Sequence, residues 1–161
     1  MMPGRACYEP VIQLFGESIV KDDTSLNREA IASIVFENPE MLKKLDDIIH
    51  PAVKKYILKE IEKSKKEETE FFFIESALLL EEKYDEICDE MWYIYCEKEV
   101  RIERLRHDRG YSDEKIHRMM ANQLPDEEFE TRCDFQLYND EDVAHTYLQI
   151  ERKMRTYYEF M

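Results

Sequence analysis

At 161 residues the chain has the length of one ordinary domain, long enough to bury a core. Its 43% hydrophobic, 12% aromatic and 37% charged residues, with only three glycines, exclude a disordered chain and point to a helix-rich globular one. A formal net charge of −14 excludes a general nucleic-acid binder, because phosphate backbones repel an acidic surface, and no apolar run reaches the roughly 18 residues of a membrane span.

The N-terminus, MMPGRACYEP, has neither the charged start nor the apolar stretch of a signal peptide, which points to a cytoplasmic protein with no membrane partner. Helical spacing in YEPVIQLF predicts a short helix from Tyr8 to Phe15, with Gly16 placed as its C-terminal cap. After a polar turn, a cap at Ser25 or Asn27 opens a helix over about 28 to 36 that stops before Asn38-Pro39. Pro39 begins the next helical stretch, where Leu42, Leu45, Ile48, Ile49, Val53, Ile57 and Ile61 share one face. Pro51 breaks or kinks it, giving two helices or one bent helix.

The pattern changes at EFFFIESALLL, a compact aromatic and branched run that reads as a buried strand over 71 to 75. MWYIYC, 91 to 96, is a second such run, and CDFQLYND, 133 to 140, holds a third short strand. Helical stretches are expected at about 81 to 88 and 98 to 107, and an amphipathic helix closes the chain over 141 to 160. Strands alternating with helices predict parallel pairing in an α/β layer fold.

Four cysteines, Cys7, Cys88, Cys96 and Cys133, lack CxxC spacing and read as buried reduced thiols. His50, His107, His117 and His145 show no metal-ligand spacing, so no metal ligand set is assigned. Ligands bind beyond the carboxyl ends of strands in open parallel sheets, which draws attention to Glu75-Ser76 and Cys96-Glu97. Glu75 is either an acid placed near a magnesium ion or a carboxylate that merely ends a strand at the surface. Four arginines, Arg101, Arg104, Arg106 and Arg109, fall within nine residues of an otherwise acidic chain. They make either a solvated face laced with ion pairs or a phosphate clamp, for which the planar guanidinium is suited.

In order, these pieces resemble the dephospho-CoA kinases, P-loop enzymes that phosphorylate the ribose 3′-hydroxyl of dephospho-CoA in the last step of coenzyme A synthesis. MPGRACYEPVIQLFGESIV is similar to that family's PG-x-x-x-Y…I…FG segment. LNREAIASIVFENPEMLKKLDDIIHPAV is similar to its Arg-x-x-Leu helix, with Ile31 in the last place, and its His-Pro pair. FIESALLLE resembles a strand ending in Asp-x-Pro-Leu-Leu-x-Glu, here with Glu75 and Ala77 in place of Asp and Pro. The segment from Arg101 to Asp140 resembles the arginine-bearing lid, a Gln-containing helix and the closing Asp-Asn strand. It departs by reading Asp108-Arg109 where Arg-Asp is common, and LYND at the close.

The resemblance implies a P-loop kinase-like three-layer parallel sheet in a single domain over 1 to 161. Helical substrate-binding residues occupy about 5 to 66, the core 70 to 100 and 133 to 161, and the lid 101 to 132. It implies ATP and magnesium as cofactors and dephospho-CoA as substrate. Arg104 and Arg109 become the catalytic lid arginines, Arg132 and Asn139 nucleotide-side residues, and Arg28, His50, Glu75 and Glu81 substrate-side residues.

One part of the family pattern is missing. No GxxxxGK(S/T) occurs, and glycines at 4, 16 and 110 cannot assemble one. That loop cradles the phosphates, and its Ser/Thr holds magnesium. The fold is therefore expected without its N-terminal P-loop strand and the chain, as given, without turnover. Unpaired strand edges would lead it to aggregate, pair with another copy or rearrange. The alternatives are a non-catalytic pseudo-kinase acting as a coenzyme A, nucleotide or protein-interaction module, and an acidic helical scaffold with no ligand.

Overall fold

The computed structural model describes residues 4–159, which divide into two compact units, Met1–Glu75 and Ser76–Met161. Pro3, of the expected Pro-Gly pair, and Phe160, at the end of the expected last helix, lie outside the described residues.

The first unit is helical. Helix α1 spans Tyr8–Phe15 and ends at Gly16, whose φ of +84° suits a residue without a Cβ and lets its N–H donate to the Ile12 carbonyl at 2.7 Å. Helix α2 spans Arg28–Glu37. Its cap is Asn27, whose Oδ1 accepts the Ala30 N–H at 3.2 Å, while Ser25 turns its hydroxyl onto Asp23 at 2.6 Å. Helix α3 spans Pro39–Lys66, opened by Pro39 and by Asn38, whose Oδ1 accepts the N–H groups of Glu40 and Met41 at 3.1 Å each. It is one continuous helix. Pro51 lies inside it, so the missing N–H removes one bond from a ladder long enough to continue on either side.

Val11 and Ile19 are sealed from solvent, and with Tyr8, Leu26, Ile31 and Leu45 they form the core where α1, α2 and α3 meet. Of the apolar face expected on α3, Leu45 is buried, Ile48, Ile49, Ile57 and Ile61 are half-buried, and Leu42 and Val53 are exposed.

The second unit carries the sheet. Strands β1, Trp92–Tyr95, and β2, Phe135–Tyr138, pair in parallel with Trp92 beside Phe135 and Tyr95 beside Tyr138. Parallel pairing requires a crossover, supplied by α4, Lys98–Arg109, α5, Asp113–Ala121, and α6, Asp126–Arg132; α7, Val143–Glu159, follows β2. Phe129 of α6 stacks on Tyr93 at 4.9 Å, whereas Lys153 of α7 lies 5.3 Å over the Phe135 ring. Tyr93 and Phe135 point to opposite faces of the sheet, so helices cover both faces, as in a three-layer α/β fold.

Two local expectations are corrected. Residues 71 to 75 are irregular rather than a buried strand, and Phe72 and Phe73 are 43% and 70% exposed. A strand exists only by pairing, and the sheet has two strands among the described residues, neither of them here. Residues 81 to 88 form turns and one 3₁₀ turn, Tyr84–Glu86, because Lys83 adopts a left-handed φ of +54° that no α-helix can carry through. Among the cysteines only Cys96 is buried; Cys7, Cys88 and Cys133 are half-buried, and all four are free thiols.

Candidate functional site

The carboxyl ends of β1 and β2 lie side by side, and the chain leaves each toward a helix. The Asn139 N–H donates to the Tyr95 carbonyl at 2.8 Å, continuing the ladder by one residue. Beyond it, Asp140 Oδ1 accepts the Glu97 N–H at 2.5 Å, tying the turn after β2 to the start of α4. Asn139 Oδ1 accepts the Thr146 hydroxyl at 3.2 Å. Ring contacts between Tyr95 and Tyr138, 5.6 Å apart, floor this end of the sheet.

Three of the four clustered arginines are held by the protein itself. Arg101 Nη2 reaches Asp126 at 3.2 Å, and Asp126 Oδ1 also accepts the Tyr93 hydroxyl at 2.7 Å. This joins the start of α6 to β1 and α4. Burial first, and then the Asp126 carboxylate, pushes the Tyr93 hydroxyl well above the usual phenol range, so Tyr93 stays a donor. Arg104 Nη1 donates to the Asn139 carbonyl at 2.5 Å and toward Cys96 Sγ at 3.7 Å. Its Nη2 donates to the carbonyls of Asp140 at 3.2 Å and Glu141 at 3.1 Å. Burial raises the Cys96 thiol against the pull of Arg104, leaving it protonated at neutral pH. Arg106 pairs with Asp113 at 2.8 Å.

Arg109 differs from these three. It ends α4, is exposed, and has no side-chain partner among the described residues. Gly110 follows at φ +63°, letting the chain reverse into α5.

Arg132 donates to Asp85 at 2.7 Å and to the Leu80 carbonyl at 3.2 Å, fastening α6 to the turn before β1. The hydrogen bond from Arg132 holds the Asp85 carboxyl below the usual range. Glu81 is exposed in that turn. In the other unit, Arg28 opens α2 as an exposed residue, and His50 sits half-buried on α3 with Nε2 3.7 Å from Asp46. Glu75 is exposed in the irregular segment after α3. The structure thus brings Arg104 and Asn139 together, and places Arg132 against Asp85 instead.

Asp126, Asp140 and Thr146, which organise the strand ends, were not singled out from the sequence. Asp126 directly after Pro125 carried the signal of an acidic helix start, and Asp140 stood in the quoted LYND. Their partners are 33 and 43 residues away, beyond any local pattern.

A family model described as dephospho-CoA kinase matches residues 1–145. Among curated proteins, the chain is 34% identical over 151 residues to a dephospho-CoA kinase of Carboxydothermus hydrogenoformans, covering 93% of this chain and 73% of that protein. It is 30% identical over 154 residues to one of Symbiobacterium thermophilum, covering 96% of this chain and 64% of the relative. Of solved structures, a Thermus thermophilus protein, TT1252, superposes with a TM-score of 0.73 at 25% identity, over 92% of this chain and 75% of that one. The dephospho-CoA kinase from Campylobacter jejuni gives a TM-score of 0.66 at 25% identity, over 91% and 73%. The chain spans about two thirds to three quarters of the length of these relatives.

Proposed function

The chain belongs to the dephospho-CoA kinase family, and from that premise we propose that it serves phosphoryl transfer from ATP to the ribose 3′-hydroxyl of dephospho-CoA. The products are ADP and coenzyme A, the last step of coenzyme A synthesis, carried out in the cytoplasm. No helix among the described residues is long and apolar enough to cross a membrane.

The observation that carries this reading is the family match over 145 residues, which includes an arginine-bearing helix at the carboxyl ends of parallel strands. Positive charge there stabilises a transferring phosphoryl group and suits a lid that excludes water. Arg109, exposed and unengaged, is the residue assigned to the phosphates. Asn139 and Arg132 are assigned to the nucleotide side. Arg28 and His50, on the packed helices α2 and α3, shape the coenzyme A pocket, with Glu75 and Glu81 as further substrate-side carboxylates.

A magnesium ion would fall to the Ser/Thr hydroxyl of a GxxxxGK(S/T) loop, of which the 161-residue sequence holds none. On this reading the 161-residue chain binds its ligands and, without that loop, does not turn them over. A second reading, a coenzyme A- or nucleotide-binding pseudo-kinase or interaction module, is favoured by the same missing motif.

Formation of ADP is the test, measured for the chain alone and for the chain fused behind a strand–loop–helix segment carrying GxxxxGK(S/T). Turnover only in the fusion supports the kinase reading. Turnover by the chain alone removes the inactivity, and a fusion that binds dephospho-CoA and ATP yet makes no ADP favours the second reading. Self-association is also proposed, since the backbone groups of Trp92 and Ile94 point away from β2 to an edge no described strand covers. Monomers throughout the micromolar range by sedimentation would refute it.

A further inference from the structure

Resting on the nucleotide-binding reading above, we propose that Arg104 is a positioning residue rather than a phosphate ligand. Its guanidinium holds loop 139–141 in the shape that receives the uncharged nucleoside end of the nucleotide, and the phosphates are left to Arg109.

The donor count supports this. The two terminal nitrogens of a guanidinium carry four N–H bonds. Four acceptors surround those of Arg104: the carbonyls of Asn139, Asp140 and Glu141, and the Cys96 sulfur. A phosphate could take these donors only by stripping three consecutive carbonyls of their partner, which costs more than the new contact returns. The loop is also held from its other side, by Asp140 Oδ1 on the Glu97 N–H.

Charge points the same way. Residues 140 to 142 are Asp, Glu and Asp, a local negative field that opposes a polyphosphate and tolerates a neutral ring. At the mouth of that loop, Asn139 has its amide oxygen occupied by Thr146, while its amide nitrogen has no partner among the described residues. That leaves a neutral donor suited to a ring-nitrogen acceptor. Arg109 lies five residues further along α4, about 140° around the helix, so it points away from the loop that Arg104 holds.

The test separates the two ends of the nucleotide by titrating the 161-residue chain with adenosine and, separately, with inorganic tripolyphosphate. Arg104→Met and Arg104→Lys are each expected to weaken adenosine about tenfold, the loss of a charge-assisted contact, and to leave tripolyphosphate within about twofold. Arg109→Met is expected to show the converse. Arg104→Lys keeps the charge but not the planar fork, so adenosine binding that survives in it overturns the proposal. Loss of tripolyphosphate alone, or equal loss of both probes, in Arg104→Met also overturns it.

Because these variants could unfold, the wild-type chain supplies an independent measurement. The guanidinium N–H resonances of Arg104 should stay in place at tripolyphosphate saturation while those of Arg109 move; a shift at Arg104 overturns the inference. Wild type that binds neither probe defeats the nucleotide reading itself and the inference with it. Wild type that binds both, with Arg104 governing tripolyphosphate, defeats the inference alone.

Discussion

Removing the charge of Glu90 should destabilise the second unit by an amount its surroundings set. The carboxylate accepts the Lys153 ammonium at 2.7 Å, the Tyr157 hydroxyl at 2.6 Å and the Trp92 indole N–H at 2.9 Å, which fastens α7 to the start of β1. Both Glu90 and Lys153 are 21% exposed, enough for water to repay part of any loss. Glu90→Gln keeps the shape and one acceptor oxygen but leaves Lys153 without a counter-charge, at a cost of about 1–2 kcal/mol. For a chain of this length that lowers Tm by about 2–8 °C. Burial pushes the Glu90 carboxyl up, but Lys153, Tyr157 and Trp92 outweigh it and hold the carboxyl below the usual glutamate range. A depressed carboxyl stabilises fully above its unfolded value, about 4.3, and the benefit is lost as pH falls through the lower folded value. The gap in Tm between wild type and Glu90→Gln, followed by circular dichroism, should be constant near neutral pH and shrink in acid. Lys153, raised by the same pair, contributes until pH rises past the lysine range. A gap that widens on acidification, or is absent at neutral pH, would refute the argument.

Asp126→Asn keeps an acceptor for Tyr93 but loses the charge that pairs with Arg101, so α6 should open more often. Amide exchange in α6 should quicken about tenfold, with α1 unchanged, and equal rates in both helices would count against the tie. Asn38→Ala removes the acceptor of two helix N–H groups and should cost about 1 kcal/mol, seen as loss of α3 signal at lower urea. Gln149→Leu uncovers a sheet edge: the Gln149 amide accepts the Tyr138 N–H at 3.0 Å and donates to its carbonyl at 2.8 Å, as a neighbouring strand would. Light scattering should rise with concentration more steeply in that variant than in wild type, because a second edge is then open to pairing.

Most element boundaries were legible because they depend on neighbours in sequence. Gly16, Asn27 and Asn38-Pro39 each end or begin a helix through bonds spanning four residues or fewer. The 71 to 75 segment was misread for the opposite reason. Its aromatic content satisfies the pattern of a buried strand, yet a ladder needs a partner, which no local pattern contains. Lys83 shows a milder form of the problem, a left-handed residue with no glycine or asparagine to announce it.

The site divides along the same line. Family membership, the arginine cluster and the missing phosphate loop follow from residue order and spacing, which local chemistry and resemblance can carry. Which arginine is free does not follow from them. The resemblance gives Arg104 and Arg109 the same standing, and only the return of the chain at Asn139, 35 residues later, engages one and leaves the other exposed. Likewise parallel pairing sets Glu97 beside Asp140, and the packing of α6 on the sheet sets Tyr93 beside Asp126. Contacts of that separation form after loop closure and depend on the packing of whole elements, so tertiary structure decides the role of a charge whose presence the sequence had already declared.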